Sequence, residues 1–258
     1  MSESVGFAQY PSLRDRVVVI TGGGSGIGAS MVEHFCMQGA RVALLDILVK
    51  ESQDLVRSLE KRCGTAPLFM ECDLKNIAAL REAFAKVAQT LGPVRVLVNN
   101  AANDDRHKFS DVTPEYWEAA MGVNLRHQFF AMQAVIEGMT QAGGGSIINM
   151  SSVAWKVPLP GLPVYLAAKA AIVGLTRGMA KELGPAGIRV NAVLPGAILT
   201  ERQRRLWWSP EYEAEILGNQ CLKRILAPED VSRLILFLAA DDSSAITNQS
   251  YTIDAGWT

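Results

Sequence analysis

The sequence predicts a doubly wound α/β fold in which a parallel, seven-stranded sheet carries helices on both faces. Seven short apolar runs rich in β-branched residues alternate with longer segments of helical period along the chain. The runs are apolar at successive positions, which is typical of strands that are covered on both sides. Parallel neighbours need long crossover connections, and the helical segments between the runs are long enough to provide them.

Each strand and helix can be assigned from this alternation. We expect strands at residues 16–20, 41–45, 66–70, 94–98, 146–150, 188–193 and 250–254. We expect helices at residues 27–38, 49–62, 76–90, 114–141, 163–183, 199–217 and 228–240. Thr113 and Pro114 give the fourth helix a capping residue followed by proline, and Gly184 with Pro185 ends the fifth. No linker or repeat interrupts the pattern, so residues 1–258 are expected to form a single domain.

Composition and charge restrict the class of partner. The chain has 25 basic and 26 acidic residues, and its net charge of -1 gives no electrostatic attraction for nucleic acid. The longest strongly apolar stretch, LILFLAA at 234–240, is too short to span a bilayer, and the N-terminus has no secretory apolar region. We therefore expect a cytoplasmic protein with a small-molecule substrate and neither a nucleic-acid nor a membrane partner. No metal site is expected, because the cysteines and histidines lack ligand spacing; they are Cys36, Cys63, Cys72, Cys221, His34, His107 and His127.

The residues VVVITGGGSGIGAS at 17–30 predict a phosphate-binding turn. They fit G-x-G-x-x-A counted from Gly24, and T-G-x-x-x-G-x-G counted from Thr21. In a Rossmann-type fold the turn after the first strand faces a pyrophosphate, and glycines let backbone N–H groups approach it. A plain strand-to-helix turn is the alternative.

Asp46, which closes the run RVALLD, indicates which dinucleotide binds. A carboxylate at this strand end accepts from the ribose hydroxyls of NAD and repels the 2′-phosphate of NADP. No arginine or lysine lies between Gly22 and Gly28 to favour NADP, so we expect NAD. The alternative for Asp46 is an ordinary helix cap.

Polar residues around the fifth strand indicate hydride-transfer chemistry. Tyr165 and Lys169 are four residues apart at the start of a helix and therefore share a face. A nearby ammonium favours the phenolate, which removes an alcohol proton as hydride leaves carbon. Ser152 can hold the same oxygen, and Asn124 is a polar residue in an otherwise apolar stretch. The alternatives are a capping serine, a surface tyrosine and a back-bonded asparagine.

With the glycine turn, these residues make the chain resemble the short-chain dehydrogenase/reductase family over essentially its whole length. The motifs are T-G-x-x-x-G-x-G from Thr21, D-L from Asp73, N-N-A at 99–101, Asn124, S-x12-Y-x3-K from Ser152, and P-G-x-x-x-T at 195–200. Only the glycine count from Thr21 agrees with the other motifs. Two glycines of the family pattern are replaced, by Ala102 and Ala255, and we expect little cost from either change.

The resemblance implies roles for individual residues. Asn124, Ser152, Tyr165 and Lys169 form a catalytic tetrad, and Lys169 also holds the nicotinamide ribose. Asp73 lies near the adenine, Asn99 supports the sheet and the cofactor, and Val193 borders the nicotinamide. The residues implied to bind the cofactor are Gly22, Gly24, Ser25, Gly26, Ile27, Gly28, Asp46, Asp73, Leu74, Asn99, Ala101, Tyr165, Lys169, Pro195, Gly196, Ile198 and Thr200. The family also implies a homotetramer built through residues 114–141 and 163–183 and the C-terminal tail.

Loops beside the catalytic residues determine the substrate. The stretch NDDRHKF at 103–109 concentrates charged groups after the fourth strand, although a solvated loop would look the same. Arg126 and His127 follow Asn124 and either join the site or face a subunit or that loop. Trp155 either lines the substrate pocket or packs in the core.

Residues 200–216 occupy the place of the family's mobile substrate lid. Arg202, Arg204 and Arg205 either bind a substrate carboxylate or form a solvated face. Trp207 and Trp208 cover either a sugar ring or an interface. The residues expected to contact the substrate are Asn103, Asp105, Arg106, His107, Ser152, Trp155, Tyr165 and Arg202.

Charged hydrogen-bonding groups and tryptophans suit a polyhydroxylated substrate, because carboxylates accept from hydroxyls and indole faces cover C–H surfaces. Several stretches, including NNAANDDRH and the tail IDAGW, are also similar to those of bacterial sugar 1-dehydrogenases. We therefore expect NAD-dependent oxidation of an aldose at C1 to the lactone. The enzymatic alternatives are oxidation of a secondary alcohol in a deoxy-sugar acid and reduction of a 3-oxoacyl thioester. The non-enzymatic alternative is an NAD-sensing protein that has lost its chemistry.

Overall fold

The computed structural model describes residues 7–157 and 159–258, and its seven strands form one parallel sheet. The strands are β1 (Val17–Thr21), β2 (Arg41–Asp46), β3 (Leu68–Glu71), β4 (Val96–Asn99), β5 (Gly145–Met150), β6 (Ile188–Pro195) and β7 (Ser250–Ile253). Their order in the sheet is β3-β2-β1-β4-β5-β6-β7. The chain therefore reverses its direction of travel between β1 and β4, where this fold opens a crevice at the carboxyl ends of the strands. The predicted fold class is confirmed.

Helices cover both faces of the sheet, as the apolar runs predicted. They are α1 (Gly26–Met37), α2 (Val49–Cys63), α3 (Ile77–Leu91), α4 (Pro114–Met121), α5 (His127–Gln141), α6 (Pro163–Leu183), α7 (Glu201–Leu206), α8 (Pro210–Asn219) and α9 (Pro228–Ala239). In β1, Val18 and Ile20 pack against α1 and α9, whereas Val17 and Val19 pack against α3 and α5. No helix in the described part of the chain is long and apolar enough to cross a bilayer.

The prediction of one regular helix over residues 114–141 is wrong in its middle. Residues Gly122–Arg126 form a π turn between α4 and α5, although the backbone at both junctions stays in the right-handed helical region. A π turn inserts an extra residue into the helical repeat, and such turns are frequent at functional sites. Here the turn contains Asn124.

The prediction of one helix over residues 199–217 is also wrong. The segment forms α7 and α8, separated at residues 207–209. Pro210 cannot continue a helix because it lacks an N–H, but it fits a first helical turn. Ser209 caps that new helix, since its hydroxyl accepts from the Tyr212 N–H at 3.2 Å.

One of the two alanine replacements has a backbone cost that the sequence did not predict. Ala255 has φ 58°, in the left-handed region that favours glycine, whereas Ala102 is not among the residues with positive φ. The left-handed conformation costs a non-glycine residue about 1–2 kcal/mol. The Ala255 carbonyl accepts from the Leu222 N–H at 2.9 Å, and this bond helps to hold the tail in place.

The turn between β1 and α1 has no room for a side chain at Gly28. A Cβ placed there would lie 1.8 Å from the carbonyl oxygen of Gly22 and 2.8 Å from the Asn100 amide nitrogen. Gly22 itself has φ 65° and faces the backbone of Ala101, from which its Cβ would lie 2.7 Å. The glycines thus let the first helix begin against the loop that follows β4.

We predict that Gly28→Ala lowers the free energy of unfolding by more than about 2 kcal/mol, because even modest overpacking costs roughly 1–3 kcal/mol. Gly138→Ala in α5 is the matched control, since its Cβ would lie 3.9 Å from Pro93 and meet nothing closer. That control should gain about 0.5–1 kcal/mol from helix propensity. Urea unfolding of both variants provides the measurement, and unchanged stability of Gly28→Ala would contradict this account of the turn.

Candidate active site

A pocket opens beyond the carboxyl ends of β1, β4, β5 and β6. Ser152, Tyr165 and Lys169 all line it, as the sequence predicted. On one side it is lined by Ile27, Asn100, Pro195, Gly196, Ile198 and Thr200. Elsewhere it is lined by Asp104, Arg106, Gln203, Trp208, Tyr212 and Trp257. Loops from four strands, the lid helices and the tail thus converge on one serine, tyrosine and lysine.

Tyr165 and Lys169 lie one turn apart in α6. The Lys169 Nζ is 5.4 Å from the centroid of the Tyr165 ring and donates to the Met150 carbonyl oxygen at 2.8 Å. Burial lowers the pKa of Lys169 to about 7, while the Asp104 carboxylate acts in the opposite direction. Burial, together with Asp104, raises the pKa of Tyr165, and Ser152 and Arg106 oppose that rise. The Tyr165 phenol is therefore a weaker acid than a free phenol. It can act as a base only where nearby groups stabilise its phenolate.

Ser152 stands between β5 and α6 with its hydroxyl in the pocket. The oxygen accepts from the Ala154 N–H at 3.1 Å, so the expected alternative of a capping serine is also present. Capping uses one lone pair and leaves the hydroxyl proton free to donate. Ser151 is directed elsewhere, since its hydroxyl donates to the Lys169 carbonyl oxygen at 2.6 Å.

Asn124 is buried in the π turn and holds the loop that follows β4. Its Oδ1 accepts from the Asn103 N–H at 2.9 Å, and its Nδ2 donates to the Asn103 carbonyl oxygen at 3.0 Å. The same Nδ2 donates to the Ala120 carbonyl oxygen at 3.0 Å, which is the back-bonding alternative. The side chain therefore positions the loop and does not line the pocket.

His127, one turn after Asn124, is fully buried beneath the site. Burial and the nearby Lys169 charge lower the pKa of His127 to about 3, although the backbone of Val123 acts in the opposite direction. Its ring is therefore neutral at physiological pH. His127 does not line the pocket, and it is not exposed to a partner subunit, because its side chain is fully buried.

Close backbone approaches at the strand ends fit a dinucleotide. The buried carboxylate of Asp46 accepts from the Gly24 N–H at 2.7 Å and from the Leu48 N–H at 3.0 Å. A Cβ on Gly24 would lie 2.4 Å from the Ser52 hydroxyl, and one on Gly26 would lie 3.3 Å from Thr200. The turn therefore presents bare backbone between a carboxylate and Thr200, and its residues fit a phosphate-bridged cofactor.

Other residues implied to bind cofactor are divided between the surface and the core. Asp73 is half exposed beyond β3 and accepts from the Lys75 N–H at 3.0 Å. Leu74 and Val193 are buried in the hydrophobic core, and neither lines the pocket. Their role is therefore to shape the backbone beside the site.

Asn99 supports the sheet, as expected, and its neighbour Asn100 lines the pocket. Asn99 is fully buried, and its Nδ2 donates to Asn149 Oδ1 at 2.9 Å, which supports the sheet. Asn100 lines the pocket instead, and its Nδ2 donates to the carbonyl oxygens of Thr21 at 3.0 Å and Gly22 at 2.9 Å. A strand of period two turns adjacent side chains to opposite sides, so the motif alone does not show which asparagine faces the cofactor.

Of the loop residues expected to contact substrate, only Arg106 lines the pocket. Asn103 and Asp105 bond to one another at 2.7 Å and to Arg202. His107 stacks on Tyr116 with ring centroids 4.7 Å apart, and its Nδ1 lies 2.8 Å from the Tyr116 hydroxyl. These three residues build the loop and do not form the pocket wall.

Arg202 and Trp155, which were expected to contact the substrate, do not line the pocket. The Arg202 guanidinium lies 2.6 Å from Asp105 and 3.4 Å from Asp104, so two carboxylates of the protein already neutralise it. Trp155 packs against Val153 and β6, and its Nε1 donates to the Ser151 hydroxyl at 3.3 Å. Core packing, the alternative for this tryptophan, is what the structure contains.

Several pocket residues were missed from the sequence: Asn100, Asp104, Gln203, Tyr212 and Trp257. Trp208 lines the pocket and donates to Glu213 at 2.7 Å, whereas Trp207 lies under Arg106 at 5.3 Å. Trp257 lies in a turn that Asp254 stabilises, because the Asp254 carboxylate accepts from the Gly256 N–H at 2.9 Å and from the Thr258 N–H at 2.8 Å. The quoted stretches NDDRH and IDAGW contained signals for Asp104 and Trp257, but not which residue of each stretch faces inward. Among the described residues no cluster of three metal-ligating groups occurs.

We predict that His127 weakens the fold in acid. Its pKa is about 3 in the folded chain and about 6.5 when exposed, so the unfolded state binds the extra proton between these values. Stability should therefore fall as pH drops through this range, by up to about 1.4 kcal/mol per pH unit from this one group. His127→Phe removes the titration, and the difference in unfolding free energy between wild type and variant should change from pH 7 to pH 4. A difference that stays constant across this range would contradict the prediction.

The chain is similar over nearly its whole length to known dehydrogenases and reductases. Residues 22–258 match the family model described as enoyl-(acyl carrier protein) reductase. The chain is 52% identical over 249 residues to the probable galactose dehydrogenase GalD of Rhizobium meliloti (strain 1021), covering 96% of this chain and 97% of that protein. It is 50% identical over 253 residues to the D-xylose 1-dehydrogenase of Caulobacter vibrioides (strain NA1000 / CB15N), covering 97% and 98%. The structure of a short-chain type dehydrogenase/reductase from Mycobacterium ulcerans matches with a TM-score of 0.90 at 26% identity, covering 97% of this chain and 91% of that one.

Proposed function

The chain belongs to the short-chain dehydrogenase/reductase family of oxidoreductases, which use a nicotinamide cofactor, and from that premise we propose that it oxidises an aldose at C1 to the lactone with NAD. The observation that carries the proposal is the pocket itself. It combines Ser152, Tyr165 and Lys169 with a wall of charged and aromatic side chains. Relatives about half identical over nearly the full length are named for galactose and D-xylose oxidation.

Three side chains carry the proposed proton chemistry. The Ser152 hydroxyl donates to the C1 oxygen, and Tyr165 takes the C1 hydroxyl proton at its phenolate oxygen. Lys169 in its charged form favours that phenolate through its position 5.4 Å from the ring centroid. The chemistry that a bound nicotinamide supplies is acceptance of the hydride from C1.

The polar turn and strand ends would hold that cofactor. Asp46 is proposed to accept from the adenosine ribose, Asp73 to lie beside the adenine, and Lys169 to hold the nicotinamide ribose. Ile27, Gly196 and Thr200 line the pocket next to Tyr165 and are proposed to border the nicotinamide. Asn124 acts as a positioning residue, because its side chain fixes Asn103 at the start of the substrate loop.

The shape and polarity of the pocket support a monosaccharide. Asp104, Arg106 and Gln203 offer acceptors and donors for hydroxyl groups. Trp208, Tyr212 and Trp257 offer aromatic faces for C–H surfaces of a sugar ring. A deoxy-sugar acid is less well supported, because Arg202 is paired with Asp104 and Asp105 and neither Arg204 nor Arg205 lines the pocket.

We also propose a homotetramer of single-domain subunits that associates through the helices around the π turn. An apolar groove on this surface is lined by Met121, Leu125, Phe129, Phe130, Ala171 and Leu175. Phe129 is 43% exposed in the single chain. Burial of such a patch favours association.

We predict that the purified enzyme forms NADH with D-xylose or D-galactose. Tyr165→Phe should lower kcat at least about hundredfold, because loss of a general base typically costs a factor of roughly 10² to 10⁴. Tyr116→Phe is the matched control, since its hydroxyl bonds to His107 outside the pocket, and it should keep kcat within about threefold. No NADH from any pentose, hexose or 6-deoxy-hexose would overturn the proposed activity. Normal turnover by Tyr165→Phe would overturn the assignment of the base.

We predict that Asp46→Ala reduces the preference for NAD over NADP at least about tenfold, because it removes the charge that repels the 2′-phosphate. Asp73→Ala is the control, since the adenine is common to both cofactors and the ratio of the two kcat/KM values should not change. Steady-state kinetics with each cofactor provide the measurement. An unchanged ratio for Asp46→Ala would remove Asp46 as the selective residue.

A further inference from the structure

Asp104 is the only acidic residue that lines the pocket among the residues described. Its side chain is 22% exposed, and its charge acts on both Tyr165 and Lys169. The carboxylate therefore lines the same pocket as Tyr165, the group proposed to take the substrate proton. It comes from the loop after β4, which Asn124 fixes at Asn103.

The lid helix α7 holds this carboxylate in place. Gln203 Nε2 donates to its Oδ2 at 2.7 Å, and Arg202 Nε donates to its Oδ1 at 3.4 Å. An ionised carboxylate has about four acceptor sites, so these two bonds leave room for further donors. Because a carboxylate accepts and does not donate, a ligand group that binds here must be a donor such as a hydroxyl.

The chemistry of the sugar ring identifies that hydroxyl, provided that the proposed function holds. If Tyr165 takes the proton of the C1 hydroxyl, the atoms that flank C1 are the ring oxygen and C2. The ring oxygen is only an acceptor, whereas the C2 substituent of an aldose is a hydroxyl that can donate. We propose that Asp104 determines sugar specificity by accepting a hydrogen bond from the C2 hydroxyl of the aldose.

The neighbouring charged residue complements this assignment. Arg106 lines the same pocket, and its guanidinium lies 5.3 Å from the ring of Trp207, which holds it against the lid. A guanidinium only donates, so it cannot read a hydroxyl proton as a carboxylate does. Asp104 and Arg106 thus present groups of opposite hydrogen-bonding character to the pocket, and of the two only Asp104 can accept the proton of the C2 hydroxyl.

The experiment compares kcat/KM for whichever of D-xylose or D-galactose is oxidised faster with that for its 2-deoxy and 3-deoxy analogues. Wild type should prefer the parent sugar over the 2-deoxy analogue by about 10- to 100-fold, the range expected for a hydrogen bond to a charged group. Asp104→Ala should reduce this ratio to below about threefold and leave the ratio for the 3-deoxy analogue unchanged. Comparing ratios between variants cancels the intrinsic difference in reactivity of the two sugars.

Two further variants test whether a changed loop after β4 or a changed α7, and not loss of the Asp104 carboxylate, accounts for a lower 2-deoxy ratio. Asp105→Ala loses a partner of the same arginine, and Arg202→Ala breaks contacts to both carboxylates, but neither residue lines the pocket. Asp105→Ala should retain the wild-type ratio for the 2-deoxy analogue, whereas Arg202→Ala also removes a donor to Asp104 and should lower the ratio less than Asp104→Ala does. Asp104→Asn keeps the shape of the side chain without its charge and should give an intermediate ratio.

Two results would overturn the inference, and they are distinguishable. Turnover of aldoses with the same 2-deoxy ratio in wild type and Asp104→Ala would remove Asp104 as the reader of C2 and leave the proposed function standing. Absence of wild-type turnover with every aldose would overturn both.

Discussion

The site depends on a small set of hydrogen bonds that tie the turn after β1 to the loop after β4. The Thr21 hydroxyl accepts from the N–H groups of Asn100 at 3.0 Å and Ala101 at 3.2 Å. In the opposite direction, the Asn100 Nδ2 donates to the carbonyl oxygens of Thr21 and Gly22. Backbone groups that leave a parallel sheet lose their ladder partners, and a buried orphan costs about 1–3 kcal/mol. These bonds satisfy such groups at the point where the crevice must open, and Gly22 and Gly28 supply the space.

Two segments extend from this junction to the pocket: α1 and the loop after β4. On one side α1 begins at Gly26 and brings Ile27 to the pocket, and Asp46 accepts from the Gly24 N–H just before it. On the other side the chain continues into the loop that Asn124 clamps at Asn103 and that presents Asp104 and Arg106. The π turn contains Asn124, and its extra residue shifts the side chains that follow it around the helix axis. A local irregularity in one helix therefore fixes a loop that comes from a different strand.

Electrostatics within the site balance burial against charge. Burial favours the neutral forms of Lys169 and Tyr165, lowering the pKa of the first to about 7 and raising that of the second. His127 beneath them is held neutral, because burial and the charge of Lys169 lower its pKa to about 3. Asp104 shifts the pKa of both catalytic groups upward, and Arg106 opposes this effect on Tyr165. Asp104 and Arg106, which line the pocket, are therefore also residues that shift the pKa of Tyr165.

The sequence by itself determined the fold class, the place of the glycine turn and the pairing of Tyr165 with Lys169, because strand and helix periodicity and spacing within one helix are local properties. It also placed Ser152 beside that pair through a motif. Sequence reasoning did not distinguish Asn100 from Asn99 or Asp104 from Asp105, and it assigned Trp155 and Arg202 to the pocket. Which of two adjacent side chains faces inward depends on contacts with distant segments, such as Asn149 for Asn99 and Gln203 for Asp104. Only the tertiary structure brings α7 against the loop after β4. That contact decides that Arg202 pairs with carboxylates of the protein, while Asp104, Trp208 and Trp257 line the pocket.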